Sequence, residues 1–575
     1  MYTSSWCASV LGLGFLVLPA LVAAVPLPAT GRTLSRKGAV VLPFIKHKHS
    51  RGLLARDGDD DGDVLGGSVG LGDSADLFYT VAVTVGNSTT AVNLDTGSSD
   101  LWVMSTDCHT TQCQASAAQP FDVTKTFRPT GNTVTLKYGD SVTGTHASGP
   151  VGRDTVTLAA LTMENQPLAA VNDTDNSAVS NGGAGILGLG FPGQSFVQAA
   201  AINAEFTNTQ GTDTFIEQTG NSGPLVSRLI MADMIDEPLF AITLQRDTID
   251  VSGVGQITIG QLPEGVDNSS ITWVPVRLYD AADGGVAAPS FAPSEVYPLR
   301  WEVELDGVYL DGKKLPDSKQ QANGIKTPSL SALIDTGNSL IRGPSDVVND
   351  ILTKVSPSFA ADPTAQPILP CDAGHNLTFQ IGGKFFPVDP RDFVSQNAQG
   401  DATNCVANNV VSTDPPGVGA LFSWNLGDPF LKSNMVVFYY GNLTHPSVDP
   451  PRMGFLSLVP QNADELLDQA VEEAQKSGGS FETKMDSAPT ASSLITEDEA
   501  STAASSQPTS TTSLPSTNVA ANQDSITSSA SAPAQSATQS QTTSGSLSHR
   551  LPDGHGAWSL FLLPTLALLG SLCIL

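Results

Sequence analysis

The sequence predicts an all-β protein made of two pseudo-symmetric lobes. Three observations carry that reading. The body, from about residue 70 to 460, consists of short runs rich in β-branched and aromatic residues. Gly, Pro, Asn and Asp break those runs at frequent intervals. One motif, with its apolar lead-in, occurs twice.

The strands read in order along the chain. LFYTVAVTVG (77–86), TVTLKYG (133–139), GQITIG (255–260), ITWVPV (271–276) and MVVFYYG (435–441) alternate or cluster apolar residues over strand lengths. Helical patterning is brief: GPLVSRLIMADMI (223–235) is one instance. ADELLDQAVEEAQ (463–475) reads as a helix linking the body to a C-terminal stalk. Segments 203–224 and 280–298 read as insertions.

The repeat is the most informative feature. AVNLDTGSSDLWV (91–103) is answered by SALIDTGNSLIRG (331–343), each an apolar strand ending in Asp-Thr-Gly-x-Ser. GILGLG (185–190) in the first half is answered by WNLGDPF (424–430) in the second. Asp95 precedes Gly188 by 93 positions, and Asp335 precedes Gly427 by 92. A lone Asp-Thr-Gly triplet means little. Two, each with a downstream Gly at matched spacing, indicate two lobes that each deliver one Asp.

Composition bounds the rest. The 575 residues carry a formal charge of −29, which excludes binding nucleic acid by phosphate neutralisation. Residues 25–56 hold seven basic side chains and no acid, so the remainder of the chain is more acidic still. A basic leader before an acidic body reads as an electrostatically docked prosegment, with a disordered basic tail as the alternative. The run DGDDDGD (57–63) reads as a solvated linker rather than a binding subsite. The eight histidines form no triad or metal pattern, and no cofactor or metal is expected. Cys108, Cys113, Cys371 and Cys405 remain once Cys7 and Cys573 are set aside in apolar terminal stretches. An even count suggests two disulfides, and of the three pairings the local ones join 108 to 113 and 371 to 405.

Both ends read as addresses. Residues 1–24 form a secretory signal, apolar and ending in small residues. Sequons at Asn87, Asn172, Asn268, Asn376 and Asn442 fit passage through the secretory pathway. Residues 487–546 are dominated by Ser, Thr, Ala, Gln and Pro and read as a glycosylated stalk. Small residues around Ser544, a polar spacer and the apolar tail 558–575 match a GPI-anchor signal with attachment at Ser544. A transmembrane helix is the competing reading of that tail.

Two carboxylates brought together can activate water. One takes a proton from it while the other, protonated, donates to a carbonyl oxygen. Like charges so close cannot both ionise, so a single-proton state persists over an acidic window. Gly97 and Gly337 let the two loops approach. Thr96 and Thr336 have hydroxyls able to bond across to the facing loop, and Ser98 and Asn338 can hydrogen-bond the carboxylates.

These residues resemble the pepsin family of aspartic peptidases, particularly fungal surface-anchored members of the yapsin kind. The resemblance covers about residues 70–460 and extends to ILG (186–188), NLGDPFL (425–431), WVPV (273–276) and both cysteine pairs. It implies a bilobal β-fold with a cleft between lobes, Asp95 and Asp335 as catalytic pair, and hydrolysis of protein or peptide substrates at acidic pH. It further implies a β-hairpin flap carrying Tyr138, Gly139 and Asp140, with Trp102 hydrogen-bonded to the tyrosine. Asp140 at this place implies acceptance of Lys or Arg before the scissile bond, with an ordinary turn Asp as the alternative. Two positions depart from the family pattern: Asn338 stands where Thr or Ser is usual, and Asn425 where an apolar residue is usual.

The expected organisation is then a signal (1–24), propeptide (25–56), acidic linker (57–76), N-terminal lobe (77–260), C-terminal lobe (261–460), linker helix and stalk (461–546), and anchor signal (547–575). The expected product is a monomeric secreted enzyme held on the outer membrane leaflet or wall. A catalytically dead peptide binder and a structural wall glycoprotein are the rivals.

Overall fold

Alternation along the early strands shows how this chain builds a sheet. Tyr79–Val85 turns Tyr79, Val81, Val83 and Val85 into the core, while Ala82 and Thr84 are half-buried. Its neighbour Ser88–Asp95 buries its last four residues and ends on the first Asp. In this computed structural model, residues 67–74, 76, 78–159, 161–206, 211–253, 255–325, 329–486 and 488 are described. The signal, the basic leader, Ser544, the C-terminal signal and nearly all of the stalk lie outside the described residues.

The molecule is mostly β, with short helices at the edges of the sheets. A ten-stranded sheet occupies the N-terminal half. The C-terminal half holds five- and four-stranded sheets. A six-stranded sheet draws on both halves: Gly67–Gly70, Gln256–Ile259 and Leu239–Thr243 continue into Asn434–Tyr439, Arg452–Ser457 and Thr272–Pro275. This shared sheet makes the floor on which the two lobes stand.

The duplication survives in three dimensions. Ser88–Asp95 pairs in parallel with Gly185–Gly188, which pairs antiparallel with Leu101–Met104. Ser331–Ile334 pairs in parallel with Trp424–Leu426, which pairs antiparallel with Ile341–Gly343. Ile186 lies opposite Trp102 in the first unit, and Asn425 lies opposite Arg342 in the second. The lobes meet around aromatic side chains. Trp301 Nε1 and the Tyr440 hydroxyl both donate to the carbonyl of Leu189, at 2.9 and 2.6 Å. Phe191 packs on both rings. Each such buried aromatic contributes roughly 2–3 kcal/mol.

Two boundaries differ from the sequence reading. Gly67–Gly70 and Gly72–Ser74, assigned there to the linker, are strands paired with Gln256–Ile259 and Tyr79–Val85. The helix Ala463–Lys476, expected to lead out of the body, is packed into it. Leu467, Ala470, Val471 and Ala474 share one face and are buried. The chain then returns to the N-terminal sheet, pairing Met485–Asp486 with Gly72–Ser74. The two apparent insertions touch, the Ser290 N–H donating to Asp213 Oδ1 at 2.6 Å.

A buried ionic cluster ties the N-terminal strands to the C-terminal lobe. Lys432 Nζ lies 3.0 Å from Asp76 and 3.2 Å from Asp392, and Arg246 grips Asp392 through two bonds of 2.6 and 2.7 Å. Burial pushes the Asp392 carboxyl up, but Arg246 and Lys432 outweigh it and hold the group well below the usual carboxylate range.

Candidate active site

Each Asp-Thr-Gly loop follows a buried strand, and the two loops interlock. Thr96 Oγ1 donates to the Ile334 carbonyl at 2.7 Å, and Thr336 Oγ1 donates to the Leu94 carbonyl at 3.0 Å. Each hydroxyl also accepts the other threonine's backbone N–H, at 3.1 and 3.0 Å. All four bonds are buried, so the two carboxyl groups are held at a fixed separation. The glycines make that separation small. A Cβ on Gly97 would lie 2.5 Å from Asp335 Oδ1, and one on Gly337 would lie 2.5 Å from Asp95 Oδ1.

Asp95 and Asp335 face each other at the base of a cleft of about 550 Å³. Asp95 accepts from the Gly97 N–H at 2.8 Å and from Ser98 Oγ at 2.5 Å. Burial, followed by the negative charge of Asp335, pushes the Asp95 carboxyl up to about 7; the Ser98 and Gly97 donors oppose that rise. Asp335 accepts from the Gly337 N–H at 2.9 Å. Its second oxygen accepts from Asn425 Nδ2 at 2.7 Å. Among the described residues no group of His, Cys, Asp and Glu gathers to hold a metal ion.

The flap is the hairpin of Arg128–Tyr138 and Thr145–Leu158. Gly139 takes a φ of +78° at its turn, a conformation that favours glycine. Trp102 Nε1 donates to the Tyr138 hydroxyl at 2.8 Å. Burial, then the charges of Asp95 and Asp100, hold the Tyr138 phenol well above its ordinary value, so it stays a hydroxyl. The flap tip also reaches the C-terminal lobe. Asp140 Oδ2 pairs with Arg342 Nη1 at 2.9 Å, while its other oxygen accepts from Val142 and Thr143. Ser141 donates through its N–H and hydroxyl to Asp414 at 2.9 and 2.6 Å.

Asn338 does not bond the Asp335 carboxylate, contrary to the sequence reading. Its amide is longer than a serine hydroxyl and points past Asp335. Nδ2 donates to the Leu340 carbonyl at 2.6 Å and to Asn425 Oδ1 at 3.0 Å, and Oδ1 accepts from Arg342 Nε at 3.1 Å. Asn425 takes the place at Asp335 that Ser98 holds at Asp95. Sequence reasoning missed this role, and it missed Arg342. Laying the two repeats over each other from their Asp residues would have paired Arg342 with Trp102. Asp100 was also missed. It caps the helix Phe196–Glu205 by accepting from Ser195 Oγ and the N–H of Phe196, and burial pushes it up to about 6.

A family model described as eukaryotic aspartyl protease matches residues 78–445, a span that takes in both loops, the flap and the lobe junction. The chain belongs to the pepsin family of aspartic proteases. It is similar to an aspartic protease of Phaffia rhodozyma, 26% identical over 66% of this chain and 77% of that relative. Rhizopuspepsin-2 of Rhizopus niveus is 30% identical over 63% of this chain and 76% of its own length. Cathepsin E of Mus musculus is 25% identical over 64% and 78%. The protein is therefore an aspartic endopeptidase.

In this aspartic protease the four described cysteines form two disulfides, Cys108–Cys113 and Cys371–Cys405, with Cα separations of 5.9 and 4.8 Å. The first flanks the short helix Thr111–Ala115, and the second ties Ile368–Pro370 to Asn404–Val406. Asn87, Asn172, Asn268 and Asn376 are exposed and Asn442 is half-buried.

Proposed function

We propose that Asp95 and Asp335 are the catalytic pair, sharing one proton across an acidic window. The interlocked loops that bring both carboxyls to the cleft floor carry this reading. Asp95, the carboxyl raised to about 7, keeps the proton. Asp335 takes a proton from a water between the groups. The hydroxyl oxygen bonds to the scissile carbonyl carbon as Asp95 protonates the carbonyl oxygen. On collapse, Asp335 returns its proton to the leaving nitrogen and Asp95 recovers one from the tetrahedral carbon's hydroxyl. Tyr138 and Trp102 close the flap over the substrate.

The pocket acid expected of Asp140 is committed to Arg342. A basic P1 side chain must displace that guanidinium, so basic P1 residues are accepted less readily than apolar ones. Around the enzyme, residues 25–56 serve as a basic prosegment that covers the acidic cleft near neutrality and leaves after cleavage at Arg56. Residues 547–575 direct attachment of a GPI anchor at Ser544, holding a monomer at the outer surface. The exposed sequons and the disulfides support a secretory route.

The test is cleavage of a mixed peptide library by the full chain, acidified to about pH 4 where the single-proton dyad is populated. Cleavage blocked by pepstatin with apolar P1 residues supports the reading. Strong enrichment of Lys or Arg at P1 overturns the specificity assignment. N-terminal sequencing of active material tests the prosegment, and release of surface enzyme by a phosphatidylinositol-specific phospholipase tests the anchor.

A further inference from the structure

The two halves of this active site are not chemically equivalent, and their differences fall on one connected path. Residues at the same offset from the catalytic Asp, or at the same register in the strand pairs, can be compared directly. Ser98 corresponds to Asn338, Trp102 to Arg342 and Ile186 to Asn425. In the first half the serine contacts the carboxylate itself, and the buried Ile186 has no polar side-chain atom to offer. In the second half all three positions have changed together. Arg342 Nε donates to Asn338 Oδ1 at 3.1 Å, Asn338 Nδ2 donates to Asn425 Oδ1 at 3.0 Å, and Asn425 Nδ2 donates to Asp335 Oδ2 at 2.7 Å.

We propose that Asn425 is the positioning residue for Asp335, and that Asn338 and Arg342 fix its amide so that the N–H end meets the carboxylate. The inference rests on the reading of Asp95 and Asp335 as the catalytic pair. An amide can present either its oxygen or its nitrogen, and an oxygen turned toward Asp335 would repel it. Asn338 removes the choice. Its Nδ2 must meet an acceptor, because its own oxygen is occupied by the Arg342 guanidinium, which only donates. Asn425 Oδ1 is thereby held as the acceptor, and Asn425 Nδ2 is left for Asp335.

The far end of the path is the flap. The same guanidinium that orients Asn338 pairs through Nη1 with Asp140. Trp102 and Arg342, corresponding residues of the two lobes, thus each hold one flap residue, Tyr138 and Asp140. A flap that lifts removes the Arg342 partner and loosens the orientation of Asn338. The charged groups around Asp335 are Asp95 on the facing loop and the cation Arg300, with Arg342 acting through Asn338.

The test replaces Asn425 with its counterpart from the other half and then restores the whole pattern. Asn425→Ile in the full chain removes the donor. The acidic limb of the kcat/KM profile should move up by about one pH unit, the scale of one hydrogen bond to a charged group, with KM little changed. The double variant Asn338→Ser/Asn425→Ile recreates the Ser98/Ile186 arrangement, and its acidic limb should return to that of the parent. Asn425→Ala removes the same donor with less bulk if isoleucine is not tolerated. An unmoved limb in a folded single variant overturns the proposal, as does a double variant no better than the single one. Asp335→Asn runs beside them: retained cleavage there sinks the dyad reading itself, whereas lost cleavage with an unmoved Asn425→Ile limb sinks only the positioning role.

Discussion

Replacing Asp95 by Asn should make this protease more stable at neutral pH while abolishing its activity. Asp95 rises from an ordinary value of 3.8 to about 7 in the folded state. A group raised on folding binds its proton more tightly in the native state. Its stabilisation is complete below the unfolded value and is lost as pH rises through the folded one. Three units correspond to about 4 kcal/mol, lost between about pH 4 and 7. Asparagine cannot ionise and escapes that loss. Asparagine also has one oxygen where Asp95 offers two, so either Ser98 or Gly97 loses its acceptor, which costs about 1 kcal/mol. The net gain near pH 7.5 is then about 3 kcal/mol. With an unfolding entropy of about 2 cal/mol/K per residue over roughly 400 folded residues, that is a rise of about 3–4 °C in Tm. Thermal unfolding of parent and variant at matched scan rate, from about pH 4 to 7.5, measures it. The two should nearly coincide at the acidic end and diverge upward. Parallel curves across the range would show that Asp95 does not carry the raised carboxyl.

Other perturbations probe the frame around the pair. Gly97→Ala places a Cβ 2.5 Å from Asp335, so a folded variant should lose activity at least a hundredfold, about 3 kcal/mol in barrier, with far-ultraviolet circular dichroism retained. Thr96→Val deletes a buried donor at 2.7 Å and leaves the Ile334 carbonyl unpaired; denaturant unfolding should show a loss of about 1–3 kcal/mol. Arg342→Met frees Asp140, and library profiling should then find Lys and Arg at P1 more often than in the parent. The buried Asp392 carboxyl is held low, so its stabilisation is present above the unfolded value and is lost only as pH falls through the lower folded one. Acid unfolding should therefore begin well below about pH 4, and Lys432→Met should shift its onset upward.

Much of this architecture could be read from the chain because a duplication leaves two copies of the same signal. The apolar lead-ins to Asp95 and Asp335 and the matched spacings to Gly188 and Gly427 mark two like units, and in each the structure pairs the lead-in strand in parallel with the strand of the downstream element. The hairpin carrying Tyr138, Gly139 and Asp140 was expected from the family resemblance alone, and the structure contains that hairpin. The partner of Asp335 was not legible. Asn338 and Asn425 are 87 positions apart, and which amide reaches the carboxylate depends on side-chain length and on Arg342 in the adjoining strand. Asp140 could be read only as either a pocket acid or a turn residue for the same reason: its cationic partner is 202 positions away. Residues 67–74 and 463–476 looked like linkers because short Gly-rich strands and a charged amphipathic helix resemble linkers until a docking surface is known.

The central claim is that two carboxyls acting on a water, with no side-chain nucleophile, carry the reaction. Peptide cleavage by Asp95→Asn and Asp335→Asn, each checked for native unfolding behaviour and compared with the parent at about pH 4, tests it most directly. Both variants should fall by at least about a thousandfold, since losing either carboxyl removes the acid or the base from the same step. Substantial cleavage by either folded variant would contradict the account.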